Sequence, residues 1–163
     1  MNVDVNDINV RLVNELISRK LKISTAESCT GGLLAALITQ VAGSSEIFDE
    51  SIVTYSNEAK MKELGVQSET LKKYGAVSED TAYEMCTGIC HHTGADIGVG
   101  ITGIAGPGGG TDEKPVGTVF IGVCVMDRKQ VMGMHFDGDR DSVREQACFT
   151  AINAVLDMLK KYF

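Results

Sequence analysis

Apolar residues recur along the chain at two spacings, one helical and one alternating, and these spacings divide it into elements. Ile8, Leu12, Val13, Leu16 and Ile17 share one helical face. Asn6 or Asp7 suits the cap before them, and Lys20 and Lys22 follow at the C-terminal side, where the helix dipole favours cations. A strand-like run from Leu21 to Ala26 then stops at Glu27-Ser28. Beyond Cys29-Thr30-Gly31-Gly32 an apolar helix is expected from about Gly32 to Val41, closed by Gly43, and Ser44-Ser45-Glu46 reads as a loop or a new cap.

The stretch Ser51 to Ser56 is rich in β-branched and aromatic residues and predicts a second strand. Asn57 is placed to cap a short helix, Glu58 to Leu64, which Gly65 ends; another short helix covers Glu69 to Lys73 and stops at Gly75. Ser78 caps a longer helix with Glu79 and Asp80 in its first turn and Ala82, Met85, Cys86 and Ile89 on its apolar face. Asp96 to Gly103 is the most apolar, β-like stretch and reads as a buried central strand. Its glycines at 98 and 100 imply close approach by another backbone or by a ligand. Gly117–Met126 and Val131–Phe136 read as strands joined by a hairpin over Asp127-Arg128-Lys129-Gln130. Asp139 or Asp141 then caps a last helix, with Val143, Ala147, Ile152, Val155, Leu156 and Leu159 facing inward. The order α-β-α-β-α-α-β-β-β-α predicts an α/β fold: one domain over 1–163, a three-layer α/β/α sandwich with a mixed sheet.

Composition narrows the classes. A length of 163 residues with 44% hydrophobic content supports a real core. A formal net charge of −7 argues against broad binding of nucleic acid, though a local cationic pocket for one small anion remains open. No apolar run approaches the roughly 20 residues that span a bilayer, and the polar, acidic Met1–Asp7 is no signal peptide. The expectation is a soluble, cytoplasmic protein without membrane contact. Cys29, Cys86, Cys90, Cys124 and Cys148 are odd in number and lack metal-finger spacing, so they read as reduced thiols. His91 and His92 close a helix beside Gly94 and suit its dipole as surface residues; no metal or cofactor is expected.

Four stretches carry candidate chemistry. Ser28 stands at a strand-to-helix turn, at the carboxyl edge of a sheet, where open α/β folds bind ligands. Ser28 or Thr30 equally suits the N-cap of the helix that follows. Lys60 falls in the first turn of its helix, where a cation opposes the dipole, and such breaks of a local rule gather at functional sites. The loop Ile104-Ala105-Gly106-Pro107-Gly108-Gly109-Gly110-Thr111 can aim backbone N–H groups at an anion, but it matches neither the P-loop nor the dinucleotide fingerprint, because a strand follows it. Arg140 and Arg144, four apart at a helix start, make either an anion site or a surface pair offset by Asp139, Asp141 and Glu145.

Taken together, Ala26-Glu27-Ser28-Cys29-Thr30-Gly31-Gly32, Tyr55-Ser56-Asn57-Glu58-Ala59-Lys60, Gly75-Ala76-Val77-Ser78, the loop from Thr102 to Thr111, Glu113 to Val119 and Gly138-Asp139-Arg140 stand in the order of a known family. The chain resembles the C-terminal domain of the competence/damage-inducible protein CinA, which also occurs alone as nicotinamide mononucleotide deamidase, over about Leu12 to Leu159. The resemblance implies an α/β/α sandwich, a homodimer, and hydrolysis of the carboxamide of nicotinamide mononucleotide to nicotinate mononucleotide and ammonia. It implies Ser28 as nucleophile and Lys60 as general base. Tyr55 would orient that dyad or stack on the pyridine ring. Backbone N–H groups from Thr30 through Gly31 to Gly32 are the expected oxyanion donors. Thr102, Gly103, Gly106 and Gly108 would shape the nucleotide pocket, with Arg140 and Arg144 on the 5′-phosphate. A helix N-terminus and nearby arginines would lower the pKa of Lys60. Cys29 is the rival nucleophile, since thiolates are activated at helix N-termini. Family members often carry an N-terminal molybdopterin-binding-like domain; the expectation here is a chain without it, and without any pyrophosphatase activity tied to it. The competing class is a non-catalytic nucleotide-binding or regulatory module; DNA processing is disfavoured by the charge.

Overall fold

The computed structural model describes residues 5–163, with side chains from Ile8 onward. Helix α1 (Val5–Arg19) leads into β1 (Ile23–Glu27), α2 (Leu33–Thr39) and β2 (Phe48–Val53). Three helices follow, α3 (Asn57–Leu64), α4 (Ser68–Tyr74) and α5 (Glu79–Thr93). Strands β3 (Ile97–Gly103), β4 (Thr118–Val125) and β5 (Arg128–His135) precede α6 (Arg140–Tyr162). The five strands form one sheet in the order β2-β1-β3-β4-β5. β1 runs parallel to β2 and β3, while β3–β4 and β4–β5 are antiparallel, so the sheet is mixed.

Side-chain alternation along the central strands sorts the layers. Ile97, Val99 and Ile101 of β3, with Val119, Ile121, Val123 and Val125 of β4, join Leu12 and Leu16 of α1, Leu34 and Ile38 of α2, and Ala151, Val155 and Leu159 of α6 in one core. On the other face Ala26 of β1 clusters with Met85 and Ile89 of α5 and Leu64 of α3. That face is floored by glycine. A Cβ on Gly100 would stand 2.7 Å from the Cys86 backbone nitrogen, and one on Gly98 or Gly122 would collide with the Cys86 or Ala82 carbonyl. The close neighbour foreseen for Gly98 and Gly100 is therefore the backbone of α5, not a ligand.

Several boundaries differ from expectation. α1 begins at Val5, upstream of Asn6 and Asp7, and the position before it lies outside the described residues. β2 begins at Phe48 and ends at Val53, so Thr54-Tyr55-Ser56 forms the exit from the strand. Ser56, not Asn57, caps α3, its hydroxyl accepting the Ala59 N–H at 3.1 Å. The hairpin turn is tighter than foreseen: β5 already pairs at Arg128, and Met126 takes φ +52° in the turn. Ser78 caps α5 and Asp139 caps α6, the latter settling the choice against Asp141.

Candidate active site

β1 ends where β3 is still paired, and the chain turns there: Ser28 N–H donates to the Ile101 carbonyl at 3.0 Å. β2 ends beside it, with Thr54 N–H on the Glu27 carbonyl at 2.8 Å. The Thr54 carbonyl thus stands next to Ser28, and α3, starting three residues later, sends Lys60 back toward both. Lys60 Nζ lies 2.7 Å from Thr54 O and 3.1 Å from Ser28 Oγ. Lys60 is only 1% exposed, and no carboxylate accompanies its amine in these contacts.

Burial is the main cause that lowers the Lys60 pKa below 10.5. The arginines and helix terminus invoked from the sequence are not what moves it. The opposing influence, a negative charge on Cys29, is absent at neutral pH, because burial of Cys29 pushes its own thiol up to about 11. Cys29 is accordingly a protonated, 6% exposed thiol, and the activation expected of a thiolate at a helix start is not available to it.

Ser28 and Lys60 open onto a cavity of about 290 Å³ whose walls include Tyr55, Thr102 and Arg140, together with Ala76-Val77 and the loop through Gly103, Gly106 and Gly108. Thr102 Oγ1 donates to the Ala76 carbonyl at 2.7 Å and joins two of these walls. Arg140 is exposed at the rim, donating to the Gly106 carbonyl at 2.7 Å and to the Tyr55 hydroxyl at 3.0 Å. Thr30, Gly31, Gly32 and Arg144 are not among the lining residues. Arg144 Nη2 binds the Thr30 carbonyl at 2.9 Å from behind the turn.

The chain matches the model of the CinA C-terminal domain over residues 5–159. It belongs to the CinA C-terminal domain family. A putative competence-damage inducible protein of Clostridium acetobutylicum is 52% identical over 146 residues, 90% of this chain and 34% of the relative. A CinA-like protein of Kosmotoga olearia is 55% identical over 144 residues, 88% of this chain and 35% of the relative. The chain therefore spans about a third of the length of these curated relatives. Among solved structures, a CinA superfamily protein of Klebsiella pneumoniae superposes with TM-score 0.94 at 40% identity, covering 98% of this chain and 99% of that one. A competence/damage inducible protein of Agrobacterium tumefaciens gives 0.93 at 40% identity, with 96% of each chain covered.

One residue of this CinA C-terminal domain escaped sequence reasoning. Glu27 is fully buried, and its carboxylate accepts the N–H groups of Gly32, Leu34 and Ala35 at 3.0, 3.1 and 2.9 Å. It caps α2 from within; Ser28 and Thr30 do not, and Gly32 holds the N-cap position at φ +97°. The Gly31 N–H is likewise taken, by the Ser28 carbonyl at 3.0 Å. Gly31 and Gly32 thus have no free donor for an oxyanion. The signal was present: a carboxylate at the end of a buried strand, just before Gly-Gly and a helix whose first turn carries no acid. Among the described residues, no group of three or more His, Cys, Asp or Glu is arranged to hold a metal, and no helix is long and apolar enough to cross a membrane.

Proposed function

We propose that this CinA-family chain is an amidohydrolase acting on nicotinamide mononucleotide, with Ser28 as nucleophile and Lys60 as general base. The observation that carries the reading is the 3.1 Å contact between Ser28 Oγ and a buried Lys60 amine whose pKa is lowered. A neutral amine accepts the Ser28 hydroxyl proton while one of its own N–H groups stays on the Thr54 carbonyl. Oγ then attacks the carboxamide carbon, and the carbonyl electron pair moves to oxygen. Lys60 returns its proton to the leaving nitrogen, which departs as ammonia and leaves an ester on Ser28. Water, deprotonated by Lys60, attacks the ester; the carboxylate product leaves and Ser28 regains its proton.

Cys29 lines the cavity beside Ser28, and its N–H takes no backbone or carboxylate acceptor among the described residues, which makes that N–H the candidate oxyanion donor in place of Gly31 and Gly32. Arg140 at the rim suits a phosphate, and its bond to Tyr55 ties that ring to the same wall. A volume of about 290 Å³ is at the small end of ligand sites and suits a mononucleotide. The test is ammonia release from nicotinamide mononucleotide by wild type, Ser28→Ala and Lys60→Ala. Release that both substitutions abolish supports the reading. Calorimetric binding of the nucleotide with no ammonia from wild type overturns it in favour of a binding module.

A further inference from the structure

The turn that carries Ser28 contains two successive residues in the left-handed region, Gly31 at φ +59° and Gly32 at φ +97°, and neither belongs to a helix or strand. Something other than regular secondary structure must hold it. The Thr30 side chain does not, because its buried Oγ1 has no hydrogen-bond partner. Two charged side chains grip the turn. Within it, the Glu27 carboxylate ties Gly32 to the first residues of α2 through three N–H groups, and the Thr25 hydroxyl approaches the same carboxylate at 3.3 Å. From α6, Arg144 binds the Thr30 carbonyl, and its guanidinium lies 3.7 Å from where a Gly31 Cβ would stand. Asp141, 3.5 Å from the other side of that guanidinium, steadies it.

We propose that Glu27 and Arg144 are positioning residues that lock residues 28–32 and so hold Ser28 Oγ against Lys60 Nζ. This rests on the amidase reading of the same site. Charge-assisted hydrogen bonds are about twice as strong as neutral ones, so two of them on Thr30 and Gly32, with two more on the first turn of α2, hold this short turn in place. The catalytic contact is a single 3.1 Å hydrogen bond between groups on separate elements. A displacement of about 1 Å at such a contact costs on the order of 100-fold in rate. The two arginines of α6 thereby divide their work: Arg140 faces the cavity, and Arg144 faces the back of the nucleophile turn.

The experiment compares Arg144→Ala, Arg144→Lys and Glu27→Gln with wild type, measuring ammonia release from nicotinamide mononucleotide, binding stoichiometry by calorimetry and hydrogen exchange of the peptide over residues 27–36. Arg144→Ala is expected to lower kcat about 10-fold and Glu27→Gln about 100-fold, each with KM within about threefold of wild type. Stoichiometry stays at the wild-type value, which separates misplacement from unfolding. Arg144→Lys, which keeps a donor for the Thr30 carbonyl, recovers most of kcat. Exchange over 27–36 accelerates in Arg144→Ala and Glu27→Gln while peptides of β4 and β5 stay unchanged. Wild-type kcat in both variants overturns the proposal, as does a raised KM at unchanged kcat in Arg144→Ala, which would return that arginine to anion binding. Should Glu27→Gln fail to fold, the Arg144 pair decides. Should wild type release no ammonia, the amidase reading falls alone, and unchanged exchange over 27–36 in Arg144→Ala overturns the positioning claim independently.

Discussion

Strand β1 has all five residues buried and ends in the carboxylate of Glu27, whereas β5, at the far edge of the same sheet, has none buried and exposes its first three. The contrast extends to the elements around them. Ser24, Thr25, Glu27, Ser28, Thr54, Lys60 and Thr102 are buried polar groups on or just beyond the parallel strands, while the antiparallel hairpin β4–β5 contributes none among the described residues. Burying a polar group without a partner costs free energy, and burying a lone ammonium costs more. The parallel half carries that cost, and the apolar core shared by β3, β4 and the helices offsets it. The difference puts the proposed chemistry at the carboxyl ends of the parallel strands.

The sharpest way to break this contrast is Ser28→Ala, expected to lower ammonia release by about 10³-fold or more while leaving thermal unfolding little changed. Next comes Lys60→Met, expected to cost about 10²–10⁴-fold in kcat/KM. In wild type kcat/KM should rise with pH to a plateau, with its midpoint below 10.5, because the base works only when deprotonated. The sign for stability follows from the same shift. Between the lowered folded pKa and 10.5 the unfolded chain holds the extra proton, so stability rises with pH through that window and is lowest beneath it. Lys60→Met should therefore raise stability at neutral pH, measurable by urea denaturation, while it removes activity.

On the glycine-floored face the expected effect is structural. Gly98→Ala should destabilise by about 1–3 kcal/mol, since its Cβ meets α5 backbone, and a shift in the urea midpoint reads this out. Smaller still is Cys29→Ala, expected to keep kcat within about threefold because the protonated thiol does no chemistry. Smallest is Arg128→Ser on exposed β5, which should change stability by no more than about 0.5 kcal/mol.

Much of this was legible in the sequence. Hydrophobic period and caps such as Ser78 and Asp139 located most elements, because those signals act over a few residues. The start of β2 was missed because Asp49-Glu50 is charged and exposed at a sheet edge, where strand pairing, not local propensity, decides it. The meeting of Ser28 and Lys60 followed only from resemblance; the physical reason, two parallel strand ends side by side, needed the register. Arg144 was indistinguishable from Arg140 by spacing alone, since which way each reaches depends on where the turn after β1 lies.

The bare floor beneath α5 reaches further than packing. That helix follows directly on Ala76-Val77, which the Thr102 hydroxyl pins to the end of β3 and which forms a wall of the cavity. The absence of side chains at Gly98, Gly100 and Gly122 thus acts as a shim of zero thickness, setting how closely α5 and the segment leading into it lie on the sheet. A single methyl inserted there would lift the helix, and the wall of the pocket would register it a few residues further along β3.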